Sequence, residues 1–176
     1  MATAASWTSA RRVRPGGPRL AGTAWCAGPV AAPTIAIVTA LVAVGVLPAR
    51  GIAVIPTAGI MLGGAMVTAS LAGRRAHDEL SVRRGEVEAA LSLGFDPRDA
   101  RMEIAGPPSA TALVPGLDQT KSVGLVTIPG AFVGMVLGGA SVWAAAAMQM
   151  FVLIALLAVS SIAMLVTVEL VAREHL

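Results

Sequence analysis

Charge is what this sequence has least of. Only 13% of its 176 residues are Asp, Glu, Lys or Arg, about half the share found in soluble domains and too little to cover a water-facing surface. Tyrosine is absent and all aromatics together make 3%, which excludes the aromatic–basic platforms that hold single-stranded nucleic acid. One cysteine, Cys26, rules out an internal disulfide and a cysteine-based metal cluster. His77 and His175 lie far apart with no ligand spacing around them, and read as solvated residues flanking the membrane. No GxxxxGKS/T stretch occurs, so the chain is not itself a P-loop ATPase. The carboxylates at Asp78-Glu79 and at Glu86 and Glu88 fall among arginines and read as solvated. No catalytic constellation, metal site or cofactor site emerges.

Apolar residues fill the space that charge leaves. They make 56% of the chain, and the mean hydropathy is +0.77. The expected class is an all-α, polytopic integral membrane protein with about four transmembrane helices. The net charge of +3 comes from arginines placed beside apolar runs, a membrane-topology signal and not a nucleic-acid one.

Residues 1–29 carry Arg11, Arg12, Arg14 and Arg19, but Pro15-Gly16-Gly17-Pro18 stands where a secretory signal needs its apolar core. This stretch is expected to be a flexible, basic cytoplasmic tail. The membrane domain is expected over 30–176, with spans at about 30–47, 52–72, 119–140 and 143–169 and a cytoplasmic loop at 73–110. The second span holds Pro56, Gly59, Gly63 and Gly64. Gly59 and Gly63 form a small-xxx-small pair that suits close helix packing, and a path-lining role for Pro56 to Met66 is the second reading. The third span is interrupted at Pro129-Gly130, with Asp118 and Lys121 at its start on one helical face. Trp143 to Val168 carries no charge over 26 residues, about 39 Å of helix and enough to cross a bilayer of about 30 Å. Placing the loop in the cytoplasm puts the N-terminal arginines, the loop and Arg173 on one side, with only Arg50 opposite. Both termini are then cytoplasmic, in an inner (plasma) membrane.

The loop centres on Glu86 to Pro107, EVEAALSLGFDPRDARMEIAGP. Glu79 to Arg83 and Arg84 to Glu88 are i,i+4 pairs that support a helix. Val87, Ala90, Leu91 and Gly94 share one apolar or small face. Gly94 suits a helix C-cap. Asp96-Pro97 restarts a helix, with Asp as N-cap, Pro in the first position and Asp99 in the first turn. That second helix is expected to end before Gly106-Pro107-Pro108. Glu88-Ala89-Ala90, three residues, Gly94, nine residues and Ile104 match the spacing of the loop by which ABC-transporter permeases engage their ATPase. Small residues let a partner groove close, Glu88 offers a charge, and Gly94 makes the turn. An ordinary amphipathic helix pair has the same spacing.

From about Thr34 to Leu170 the sequence resembles the FetB-type, UPF0014-like iron-export permease family of ABC transporters, to which plant aluminium-tolerance relatives belong. IPTAGIMLGGAM (55–66), EVEAALSLGFDPRDA (86–100), TALVPGLDQTKSVGLVTIPGAFVG (111–134) and the Gln149-containing last span carry the resemblance. It implies a permease working with a separate ATPase subunit that binds the ATP, two permease copies side by side in the bilayer, and export of a substrate such as iron. It makes Glu88, Ala89, Ala90, Gly94, Asp96 and Pro97 the docking candidates. Pro56, Met61, Met66, Asp118, Lys121, Pro129, Gly130 and Gln149 become candidates for lining the path or transmitting force. The resemblance implies longer members with additional N-terminal spans, so a chain without them is the expectation here, and it implies Asn at the place of Gly64. The competing expectation is a truncated or non-transporting four-span scaffold whose loop binds another partner.

Overall fold

A computed structural model describes residues 19–43, 45, 51–123 and 130–173. Every regular element among them is helical: α1 (Arg19–Ala43), α2 (Gly51–Val82), α3 (Arg84–Ser92), α4 (Pro97–Ala110), a 3₁₀ turn (Thr111–Leu113), α5 (Val114–Ser122), α6 (Gly130–Leu137) and α7 (Val142–Ala172). Helices α2 and α7 form the principal packed pair, and α1 lies against both. Among the described residues, two stretches are long and apolar enough to cross a membrane, Val54–Val82 and Val142–Ala172, and a shorter apolar one spans Val30–Ala43. The protein is an all-α membrane protein.

Small side chains set how closely the long helices approach. Met61, Ala65, Val159 and Ala163 are fully enclosed, with Val30 of α1 and Ala155 closing the cluster. A Cβ added to Gly64 would lie 2.5 Å from Leu156 Cδ1, so Gly64 marks the close crossing of α2 and α7. Gly59 and Gly63 have open space beside them, and the expected small-residue pair faces away from this contact. Two buried hydroxyls in the apolar helices are satisfied within their own helix. Thr34 donates to the Val30 carbonyl at 2.7 Å and Thr167 to that of Ala163 at 2.7 Å, which removes the cost of an unpaired donor in an apolar medium.

Several expected boundaries move. The backbone is already helical at Arg19, inside the stretch expected to be a flexible tail. Helix α2 runs unbroken past Ala72 to Val82 and carries Arg74, Arg75, Asp78 and Glu79 on its extension. At 32 residues it is about 48 Å long and outreaches a bilayer core of about 30 Å. Its continuation is unforced, because nothing in Gly73–Val82 breaks a helix. Helix α4 likewise passes through Gly106-Pro107-Pro108 to Ala110, where an earlier end was expected. The two missing donors are tolerated because Ala105, Ser109 and Ala112 are buried against neighbouring helices, and tertiary packing outweighs local preference. The stretch expected as one span over 119–140 is divided: α5 stops at Ser122, Val123 is extended at φ −64 and ψ 128, and α6 begins at Gly130. Pro129 lies outside the described residues.

Candidate functional site

The helix–elbow–helix between α2 and α5 is built by local signals. At the end of α3 the Gly94 N–H donates to the Leu91 carbonyl at 3.0 Å, and the Phe95 N–H to the Ala90 carbonyl at 3.2 Å. Gly94 sits at φ +92. This is a Schellman closure, whose left-handed residue favours glycine. Two residues later Asp96 caps α4, its side chain accepting from the Arg98 N–H at 3.2 Å, with Pro97 in the first position and Asp99 in the first turn. At the base of α3, Arg83 pairs with Glu79 at 3.5 Å and, through a closer contact, with Glu86. That hydrogen bond holds the Glu86 carboxyl below the ordinary carboxylate range. Arg84 and Glu88, expected to pair, form no ion pair among the described residues. Arg83 and Glu86 do so instead.

The apolar face of α3 is not spent inside the chain. No residue of α3 is buried; Val87 and Ala90 are half-buried, and Ala89 and Leu91 are exposed. The elbow adds Leu93, 81% exposed, and Phe95, 51% exposed. Glu88, Ala89, Gly94, Asp96 and Pro97 are all exposed on the same projection, which makes an apolar tip ringed by charge.

Helix α4 is anchored where α3 is not. Ala105 and Ala112 enter a core with Ala72 and Ala76 of α2 and Met164, Val168 and Val171 of α7. Ser109 Oγ donates to the Ala72 carbonyl at 3.4 Å, and Arg75 bonds the Thr111 hydroxyl. At the elbow end Arg98 grips Glu169 of α7 with two bonds, Nε to Oε1 and Nη2 to Oε2, each 2.7 Å. Its remaining nitrogen Nη1 reaches Asp99 at 2.6 Å. These bonds, that to Glu169 foremost, raise the Arg98 pKa above its ordinary value. Glu169 also accepts from Arg173 Nε at 2.6 Å, and Arg101 Nη1 donates to the Ala172 carbonyl at 3.1 Å. Sequence reasoning missed this assembly. Arg98 and Glu169 stand 71 positions apart, and the only local sign was an arginine four places after a glutamate near a helix end.

The other candidates scatter. Met61 is completely buried at the α1–α2–α7 contact and Met66 packs against the same cluster, while Pro56 is exposed near the start of α2. Asp118 and Lys121 pair at 3.4 Å, both largely exposed, on α5. Gly130 is the first residue of α6. Gln149 is half-buried on α7, and its Oε1 is enclosed with no hydrogen-bond partner among the described residues. No group of three or more His, Cys, Asp or Glu side chains that could hold a metal ion occurs among the described residues.

Comparison with known proteins follows the same lines. The chain matches, over residues 1–176, the family described as Uncharacterised protein family (UPF0014). It is similar to the UPF0014 membrane protein STAR2 of Oryza sativa subsp. japonica, 34% identical over 97% of this chain and 59% of the relative. Protein ALUMINUM SENSITIVE 3 of Arabidopsis thaliana is 34% identical over 87% of this chain and 55% of the relative. The Probable iron export permease protein FetB of Escherichia coli (strain K12) is 31% identical over 69% of this chain and 47% of the relative. The chain thus spans roughly half of each relative's length. No solved structure matches it.

Proposed function

The chain belongs to the UPF0014 family of membrane proteins, and on that premise we propose that it is the membrane-spanning permease subunit of an ABC-type transporter. In this reading it is not an enzyme. A separate ATPase subunit binds and hydrolyses the ATP, and it docks on the elbow at 86–107. The observation that carries the proposal is the contrast across Gly94. The elbow presents Ala89, Leu91, Leu93 and Phe95 to solvent with no residue of α3 buried, while the helix behind it is fixed to α2 and α7. A partner groove closing on the tip would bury that apolar surface and push against α4. Glu88 would meet a basic or amide group of the groove.

The cargo is proposed to be a metal such as iron, moved out of the cytosol of a cell whose plasma membrane holds the protein, with both termini inside. The support for iron is the printed name of one relative at 31% identity. Two copies of the permease would flank the path, with Gln149 and the α5–α6 segment, Asp118, Lys121, Pro129 and Gly130 included, as candidates beside it.

Co-purification with the ATPase subunit tests the docking assignment. Gly94→Arg and Glu88→Lys are each expected to abolish retention while leaving the protein in the membrane fraction. Glu88→Lys leaves the left-handed turn intact, so it separates loss of contact from loss of shape. Undiminished retention in both variants would overturn the assignment, in favour of a scaffold whose loop serves another partner.

A further inference from the structure

The tie between α4 and α7 joins two charged groups that each have a second partner nearby. Arg98 holds Glu169 across the two helices, yet each has a second partner on its own helix: Asp99 beside Arg98 at 2.6 Å, and Arg173 one turn beyond Glu169 at 2.6 Å. Arg98 and Arg173 converge on one oxygen, Glu169 Oε1. They share it, and their like charges are brought together only while the helices are joined. Asp99 and Glu169 are likewise drawn to one guanidinium. Separation removes both repulsions and strands neither charge, since each keeps its local partner. Stranding a charge is the usual cost of breaking an ion pair that is shielded from water.

The attachments at the two ends of α4 differ in kind. The far end is enclosed with small and apolar side chains of both α2 and α7, and is bonded to α2 by Ser109 to Ala72 and Arg75 to Thr111. The elbow end adds the partly exposed Arg98–Glu169 pair and the Arg101 bond to the Ala172 carbonyl on α7, groups that water can replace. A pull on the elbow therefore frees the elbow end first, and α4 swings about its enclosed far end. We propose that Arg98, Asp99, Glu169 and Arg173 form a releasable clutch that joins the elbow to the last membrane helix in one state and frees it in another. Its use in transport rests on the docking reading above. The release device itself does not.

Accessibility of the covered side of α4 reads out release. Ala100 is completely buried, two residues from Arg98, and Ala100→Cys in a Cys26→Ser background gives a thiol that a water-soluble maleimide reaches only when this end lifts. The full chain in lipid nanodiscs is the sample. Arg98→Gln, which removes the joining bond, is expected to speed labelling several-fold. Arg173→Gln removes the like charge brought up to Arg98 and the fallback partner of Glu169 together, so it is expected to slow labelling about two- to fivefold, the scale of a partly exposed ion pair. Asp99→Asn is expected to slow it too. A merely structural network gives the opposite sign, since losing either partner would loosen it. Faster or unchanged labelling in both Arg173→Gln and Asp99→Asn overturns the clutch. Failure of the ATPase to co-purify would sink the docking reading and leave these labelling rates as they are.

Discussion

Of the two helices that meet at Gly94, α4 takes Ala100, Ile104, Ala105 and Ser109 out of contact with solvent, whereas α3 buries none of its nine residues. Both carry mixed charge, and they meet at clear local signals, the glycine closure that stops α3 and the Asp96 cap that starts α4. The difference lies in what stands behind them. Helix α4 has a groove of small residues to lie in, Ala72 and Ala76 on α2 with Val168 and Val171 on α7. Helix α3 has only the Arg83 pairs at its base and the Schellman closure at its tip. An isolated helix shorter than about 12–15 residues is marginal in water, so α3 is held by its ends and by whatever covers its apolar face. A rigid lever with a soft, apolar tip suits a part that must be completed by a partner and then push.

The strongest way to break this contrast is to put the same charge on each helix. Ala105→Asp places a carboxylate where exposure is zero, among Ala72, Ala76, Met164 and Val168. An unpaired buried charge costs several kcal/mol, enough to lift α4 from its groove. Detergent-solubilised protein should lose its cooperative thermal transition or unfold far earlier. Ala89→Asp, on the exposed face of α3, should leave that transition within about 0.5 kcal/mol and abolish ATPase retention alone. If both variants unfolded alike, α3 would be packed in solution and the contrast would be lost.

Gly94→Ala sharpens the difference at the junction itself. A Cβ there meets nothing within 4 Å, so the whole effect comes from φ +92. Forcing a non-glycine residue into that region costs about 1–2 kcal/mol, which shifts the local opening equilibrium roughly tenfold. Proteolytic cleavage between Leu93 and Asp96 should accelerate by about that factor, while global unfolding moves little because α3 contributes so little burial.

The elbow was legible in the sequence because its determinants act within four or five residues: Gly94 as the left-handed cap, Asp96-Pro97 as the restart, Asp99 in the first turn. The apolar character of the long helices was legible for the same reason. Boundaries set by tertiary packing were not. Helix α4 runs through Pro107-Pro108 because Ala105 and Ser109 are enclosed by α2 and α7, and no local rule encodes what lies opposite. The interruption was read at Pro129-Gly130, but the end of α5 at Ser122 was not, because Val123 carries no local stop signal. Arg98 and Glu169 escaped because pairing across 71 positions leaves no spacing to recognise.

The smallest expected effect bears on how far the two helices are independent. Asp96 caps α4 with one bond to the Arg98 N–H at 3.2 Å, and replacing such a cap by alanine costs about 1 kcal/mol. The first turn that frays in Asp96→Ala is the one that carries Arg98, so a local loss at the elbow reaches the tie to α7. Asp96→Ser keeps an acceptor at the cap and should retain most of the bond. The pair should therefore separate on maleimide labelling at Ala100→Cys, with Asp96→Ala faster by about fivefold and Asp96→Ser near the parent. Helix α3 ends at its own glycine closure before Asp96, so cleavage between Arg84 and Leu91 should stay unchanged in both. Acceleration there as well would mean that α3 and α4 fold as one unit, and the lever and its tip would have to be treated as a single body.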